Sequence, residues 1–133
     1  MPPLIKILHI DDDAVMRLMI KKSLERSTHG FEIMSCTSAD EFMESLPKFL
    51  PDLLIIDVVM PILNGPTVLA NVRKLQNRTP AIFVTGQENL ELDNQENLEP
   101  IIGMIHKPFS PIALGDQLLA FWKKFHASSL SKA

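Results

Sequence analysis

Leu53-Leu54-Ile55-Ile56-Asp57-Val58-Val59-Met60-Pro61-Ile62-Leu63-Asn64-Gly65 is the stretch from which the fold can be read. Its first residues form a short, Ile-rich apolar run without alternation, the pattern of a strand buried on both faces. The run ends on the carboxylate of Asp57, which is costly to bury unless something pairs with it. Met60-Pro61 and Asn64-Gly65 then turn the chain, because Pro fixes φ and an Asn-Gly pair tolerates φ > 0. The expectation is a rigid strand presenting one Asp at its C-terminal tip, beside a tight loop. In open α/β sheets ligands bind in the crevice at that end of the strands. Asp57 is therefore the first candidate for chemistry.

Working outward, Ile5 to Ile10 is a compact apolar run, read as a first strand, that leads straight into Asp11-Asp12-Asp13. Asp13 can cap the next helix and favour its dipole. That helix carries Met16, Met19, Ile20 and Leu24 at helical spacing, with Arg17, Lys21 and Lys22 outward. Phe31 to Cys36 reads as a peripheral strand. Ser38 with Glu41 makes a capping box for a helix that buries Phe42, Leu46 and Phe49 and is short or kinked at Pro47.

Beyond Asp57, Pro66 suits the first turn of a third helix, with Val68, Leu69, Val72 and Leu75 as its buried stripe. A fourth strand, Ala81 to Val84, ends on Thr85-Gly86. A fifth, Ile101 to His106, ends on Lys107-Pro108. Ser110 caps a last helix with Pro111 at its first position, and Leu114, Leu118, Phe121, Trp122 and Phe125 form its apolar side. Residues 87–100 are rich in Asn and acids and carry no Lys or Arg, which predicts a short, irregular or mobile helix ended by Pro100. The βα unit thus repeats five times, an α/β fold with a five-stranded parallel sheet and helices on both faces.

Composition narrows the class. The 133 residues suit one domain, assigned to 1–126, with a frayed tail over 127–133. Net charge is −3 with scattered basic residues, which argues against a nucleic-acid footprint. The single Cys36 excludes an internal disulfide and a Cys-based zinc site. No secretory signal and no membrane span is visible, so a cytoplasmic protein without membrane contact is expected.

Four strand tips carry polar groups: Asp11 and Asp12, Asp57, Thr85, and Lys107. Converging on one crevice, the three carboxylates need a cation. Hard oxygen ligands with room for water suit Mg²⁺. Asp57 could then be a carboxylate nucleophile that forms an acyl phosphate, with Thr85 and Lys107 holding phosphoryl oxygens.

In these residues the chain resembles a response-regulator receiver domain over nearly its whole length. The motifs are Ile10-Asp11-Asp12, Asp57-Val58-Val59-Met60-Pro61 with Gly65, Val84-Thr85-Gly86 and Lys107-Pro108-Phe109. The resemblance implies a flavodoxin-like strand order 2-1-3-4-5 and a stand-alone, chemotaxis-regulator-like module of a two-component system or phosphorelay. It implies Asp57 as phosphoacceptor, and Mg²⁺ held by Asp12, Asp57 and the backbone carbonyl of Val59, with Asp11 acting mostly through water. Gly86 matches the small residue that leaves the phosphoryl site open. The donor would be the phosphohistidine of a sensor histidine kinase or a histidine phosphotransfer protein. Such a chain is a signalling module rather than an enzyme, a monomer or weak homodimer.

Two features depart from the family pattern. The switch position holds Met104 in place of Tyr or Phe, so an aromatic flip cannot be the readout, although Met can fill space vacated by Thr85. Val59 and Gln87 stand where family members carry side chains that tune dephosphorylation, and an apolar Val59 predicts a fairly long-lived phospho-form. The main alternative is a degenerate receiver acting as a phosphorylation-independent binding module. A haloacid-dehalogenase-type phosphatase would need D-x-D-x-T, and a nucleotide-binding module would need a glycine-rich loop. Neither pattern is present.

Overall fold

The run Leu53–Asp57 is a strand with every residue buried, at the centre of a five-stranded sheet. The computed structural model describes residues 2–58, 64–86 and 95–131. The strands are β1 (Lys6–Ile10), β2 (Glu32–Cys36), β3 (Leu53–Asp57), β4 (Ala81–Thr85) and β5 (Ile101–His106). Between and after them lie α1 (Ala14–Arg26), α2 (Ala39–Phe49), α3 (Gly65–Lys74), α4 (Gln95–Leu98) and α5 (Leu114–Ser131). All neighbouring strands pair in parallel, in the order β2-β1-β3-β4-β5.

The unbroken apolar run has a simple cause. Successive strand residues point to opposite faces, and here both faces are covered. Leu53 and Ile55 join a layer with Ile20 and Leu24 of α1 and Leu114, Leu118 and Trp122 of α5. Leu54 and Ile56 join Phe42 and Leu46 of α2, Val68, Leu69 and Val72 of α3, and Leu98 of α4. Fully burying one such aliphatic side chain contributes on the order of 2 kcal/mol.

Caps set the helix starts as expected, with local differences. Asp13 accepts the N–H groups of Val15 and Met16 at the start of α1. Ser38 Oγ accepts from Glu41 N–H, while the Glu41 carboxylate takes the N–H of Thr37 rather than that of Ser38. α2 does not stop at Pro47 but runs to Phe49. Pro47 lies in the last turns, where the missing N–H breaks only one bond of the ladder.

Other expectations are corrected by packing. Met19 and Leu75 are exposed rather than buried, Leu75 because it stands past the last turn of α3. Arg17 turns inward, as described below. Ser110 Oγ caps a turn by accepting the N–H of Ala113, and α5 itself begins at Leu114. α5 runs to Ser131. Trp122 belongs to the core, and its indole N–H donates to the carbonyl of Pro2 at 2.9 Å.

The weak segment before β5 is, among the described residues, a single turn, Gln95–Leu98. Residues 87–94 lie outside the described residues. Arg73 of α3 holds this corner, donating to the carbonyls of Asn77, Thr79, Leu98 and Pro100 at 2.7–3.1 Å. No helix among the described residues is long and apolar enough to cross a membrane.

Candidate functional site

Parallel register brings the strand tips to one end of the sheet. Ile10 lies beside Ile56, Asp57 beside Val84, and Thr85 beside His106. The residues that follow β1 and β5, Asp11 and Lys107, therefore flank Asp57. Backbone bonds extend the sheet past these tips. Val58 N–H donates to Val84 O at 3.0 Å, and Lys107 N–H to Thr85 O at 2.8 Å.

Asp11, Asp57 and Thr85 are buried, whereas Asp12 is exposed. One carboxylate oxygen from each of Asp11, Asp12 and Asp57 lies within 4.8 Å of the others. Lys107 Nζ donates to Asp57 Oδ1 at 3.1 Å. Asp11 Oδ1 accepts the N–H of Asp13 at 2.9 Å, while its buried Oδ2 has no hydrogen-bond partner. The site thus offers hard anionic oxygens with unused lone pairs, the donor set that suits a hard divalent cation.

The electrostatics agree. Burial, with the nearby Asp57 and Asp12 charges adding to it, raises the Asp11 carboxyl to about 6 against the Asp13 N–H and Lys107. Burial likewise raises Asp57 above the usual carboxylate range, opposed chiefly by the bond and charge of Lys107. Clustered acids with raised proton affinity in a cleft mark functional sites.

Gly65 is required for a reason other than the expected turn. Its φ is not positive; Asn64 is the N-cap of α3, and Gly65 opens the helix hard against the Asp57 backbone. A Cβ there would lie 2.3 Å from the Asp57 carbonyl oxygen. Gly86 is different, since a Cβ there would meet nothing within 4 Å. Met104 pairs with Phe83 on β4 and packs, half-buried, on the α3–α4 layer. Val59 and Gln87 lie outside the described residues.

The response regulator receiver domain profile matches residues 7–119. This chain is a response-regulator receiver domain. Relatives of the receiver include the alkaline phosphatase synthesis transcriptional regulatory protein PhoP of Bacillus subtilis, 28% identical over 122 residues. That match covers 90% of the receiver and 49% of PhoP. The Bacillus subtilis chemotaxis protein CheY is 31% identical over 91 residues, covering 66% of the receiver and 74% of CheY. Among solved structures, the chemotaxis response regulator CheY4 of Vibrio cholerae aligns with a TM-score of 0.75 at 26% identity. It covers 89% of the receiver and 98% of that chain. The receiver spans about half or less of the first curated relatives it matches, 49%, 30% and 18% of their lengths. The degenerate alternative finds no support, because the carboxylates and the lysine converge as an intact set.

Two residues at the site had no readable signal in the sequence. Arg17 is half-buried, and its Nη1 donates to the carbonyl of Asp11 at 2.8 Å. An Arg on the polar face of an amphipathic helix reads as solvated. His9 is fully buried in β1, and burial with the nearby Arg17 and Lys107 charges lowers its imidazole to about 3. Unfolded, it titrates near 6.5. A group with a depressed folded pKa of this kind contributes stability above 6.5 that is lost as pH falls. Below pH 6.5, His9 should therefore cost about 1.4 kcal/mol per pH unit. Asp11 runs the opposite way between about 6 and 4, so the clean measurement is a difference. Chemical denaturation of wild type and His9→Leu should show a gap that is flat above pH 7.5. It should move toward the variant as pH drops to 5; a constant gap would refute a neutral buried His9.

Proposed function

We propose that this receiver is a phosphorylation-controlled module of a two-component system or phosphorelay, with Asp57 as phosphoacceptor and Mg²⁺ as cofactor. The observation that carries the reading is the placement of Asp57, with carboxylate oxygens of Asp11 and Asp12 within 4.8 Å of one of its own and Lys107 Nζ at 3.1 Å from Oδ1. Asp11, Asp12 and Asp57 would hold the metal, with the backbone carbonyl of Val59 completing the set. Bound Mg²⁺ supplies neutralisation of the incoming phosphoryl oxygens.

The chain's own groups do the rest. A carboxylate oxygen of Asp57 attacks phosphorus, forming an acyl phosphate as the P–N bond of a phosphohistidine breaks. The imidazole of the donor leaves with the electron pair and takes a proton. Lys107, released from Asp57 Oδ1, holds a phosphoryl oxygen as a compact point charge. Thr85 donates its hydroxyl to another, and Gly86 leaves the approach open. The donor is a sensor histidine kinase or a histidine phosphotransfer protein in the cytoplasm. Thr85 and Met104 pass the change to the surface, where a protein target reads it. The receiver works as a monomer or weak homodimer; it catalyses its own phosphoryl transfer and acts on no separate substrate.

Intact mass after incubation with acetyl phosphate and Mg²⁺ tests this. Wild type should gain one phosphoryl group, dependent on Mg²⁺, and Asp57→Asn should gain none. Uptake by Asp57→Asn, or no uptake by wild type from acetyl phosphate and from cognate kinases alike, would overturn the assignment.

A further inference from the structure

The acidic turn that follows β1 is held largely by its backbone, while Asp11 Oδ2 has no hydrogen-bond partner. Asp11 N–H donates to Cys36 O at 3.2 Å. Asp13 N–H closes onto Asp11 Oδ1, and the Asp13 carbonyl and carboxylate anchor the start of α1. From above, Arg17 reaches back one turn of α1 to bond the Asp11 carbonyl. The Arg17 guanidinium thus binds a backbone oxygen and leaves Asp11 Oδ2 unpartnered. A cation that bonded the carboxylates directly would compete with a metal; this one does not.

His9 lies two residues before Asp11 and, by strand alternation, shares the face of Ile7, the layer covered by α1 and α5. Its Nδ1 lies 3.4 Å from Ser35 Oγ, and its Nε2 is buried without a partner. Burial without a partner is uncommon and calls for an explanation. The Arg17 and Lys107 charges act on this ring. Nε2 accepts from no donor among the described residues, Arg17 included, whose guanidinium bond goes to the Asp11 carbonyl.

We propose that Arg17 is a positioning residue that fixes the Asp11–Asp13 turn for its divalent cation. The inference rests on reading the acidic cluster as a Mg²⁺ site. Its gain is preorganisation: the metal meets a turn that is already ordered and does not have to order it.

Calorimetric titration of the full chain with MgCl₂ provides the test, with melting curves in EDTA alongside. Arg17→Met should weaken Mg²⁺ binding about tenfold, equivalent to about 1.4 kcal/mol, with little change in the EDTA melting point. Arg17→Lys keeps one donor but loses the fork, and should weaken binding about threefold. It also serves where the Met variant folds poorly. An unchanged affinity in Arg17→Met would overturn the proposal.

If wild type itself bound no Mg²⁺, the metal reading would fail separately. The positioning role would then stand or fall on amide exchange in EDTA. Arg17→Met should lower protection of the Asp13 N–H while α5 keeps its protection; equal protection in both proteins would overturn it.

Discussion

Gly65→Ala is expected to cost about 3 kcal/mol or more, lowering Tm by roughly 10 °C. The ideal Cβ would sit 2.3 Å from the Asp57 carbonyl oxygen and 2.8 Å from Ile56 Cγ2. The first contact is with backbone, so no rotamer change can relieve it. Either α3 or the end of β3 must move. Gly65 N–H also donates to Val58 O at 2.8 Å, a bond that the same movement breaks. Because β3 carries Asp57, the damage should reach the site: Mg²⁺ affinity and phosphoryl uptake should fall together with stability. Gly86→Ala is the control. It is next to the same crevice, yet its Cβ would meet nothing within 4 Å. It should stay within about 0.5 kcal/mol of wild type by chemical denaturation. Equal stability of the two variants would show that the close approach at Gly65 relaxes freely.

Lys107→Met should slow phosphoryl uptake at saturating Mg²⁺ by about 10²–10³-fold, the usual loss when one preorganised donor to developing charge is removed. The same variant should bind Mg²⁺ more tightly than wild type, because Lys107 Nζ no longer holds Asp57 Oδ1 at 3.1 Å. The two changes run in opposite directions, and that split is the diagnostic. Without metal the variant should also be less stable near neutral pH. It leaves Asp57 buried without its cation, and the folded carboxyl, already raised above its unfolded value, rises further. A raised folded pKa in an acid means stability recovered as pH falls toward the unfolded value near 4, or on adding Mg²⁺. Slower uptake with weaker Mg²⁺ binding would instead make Lys107 a structural prop.

The fold was legible because its signals are local. Buried parallel strands need continuous apolar runs, and Leu53–Ile56 and Ala81–Val84 are such runs. Each ends at a polar tip residue, and the turn chemistry of Ser38, Asn64 and Ser110 marks where each helix unit starts. The convergence of the five candidate residues was legible for the same reason. In a parallel sheet every strand tip of one end lies in one crevice, so naming the tips nearly names the site. Element ends were less legible. Pro47 breaks one hydrogen bond without ending α2, and α5 begins at Leu114 rather than at Pro111.

By itself, then, the sequence determined the strand count, the layer architecture and the strand-tip placement of the candidates Asp11, Asp12, Asp57, Thr85 and Lys107, since periodicity and position along each strand encode them. Only the tertiary structure decided that Gly65 is needed for close approach, that Leu75 is exposed, and that Arg17, His9 and Arg73 are tied to carbonyls or buried beneath the site. Those facts depend on which surfaces meet in space, as when Gly65 meets Asp57 across a turn or Arg73 meets Pro100, 27 residues on. Periodicity reports which face of an element is apolar. It does not report how close the facing backbone comes, nor which polar side chain is trapped between them.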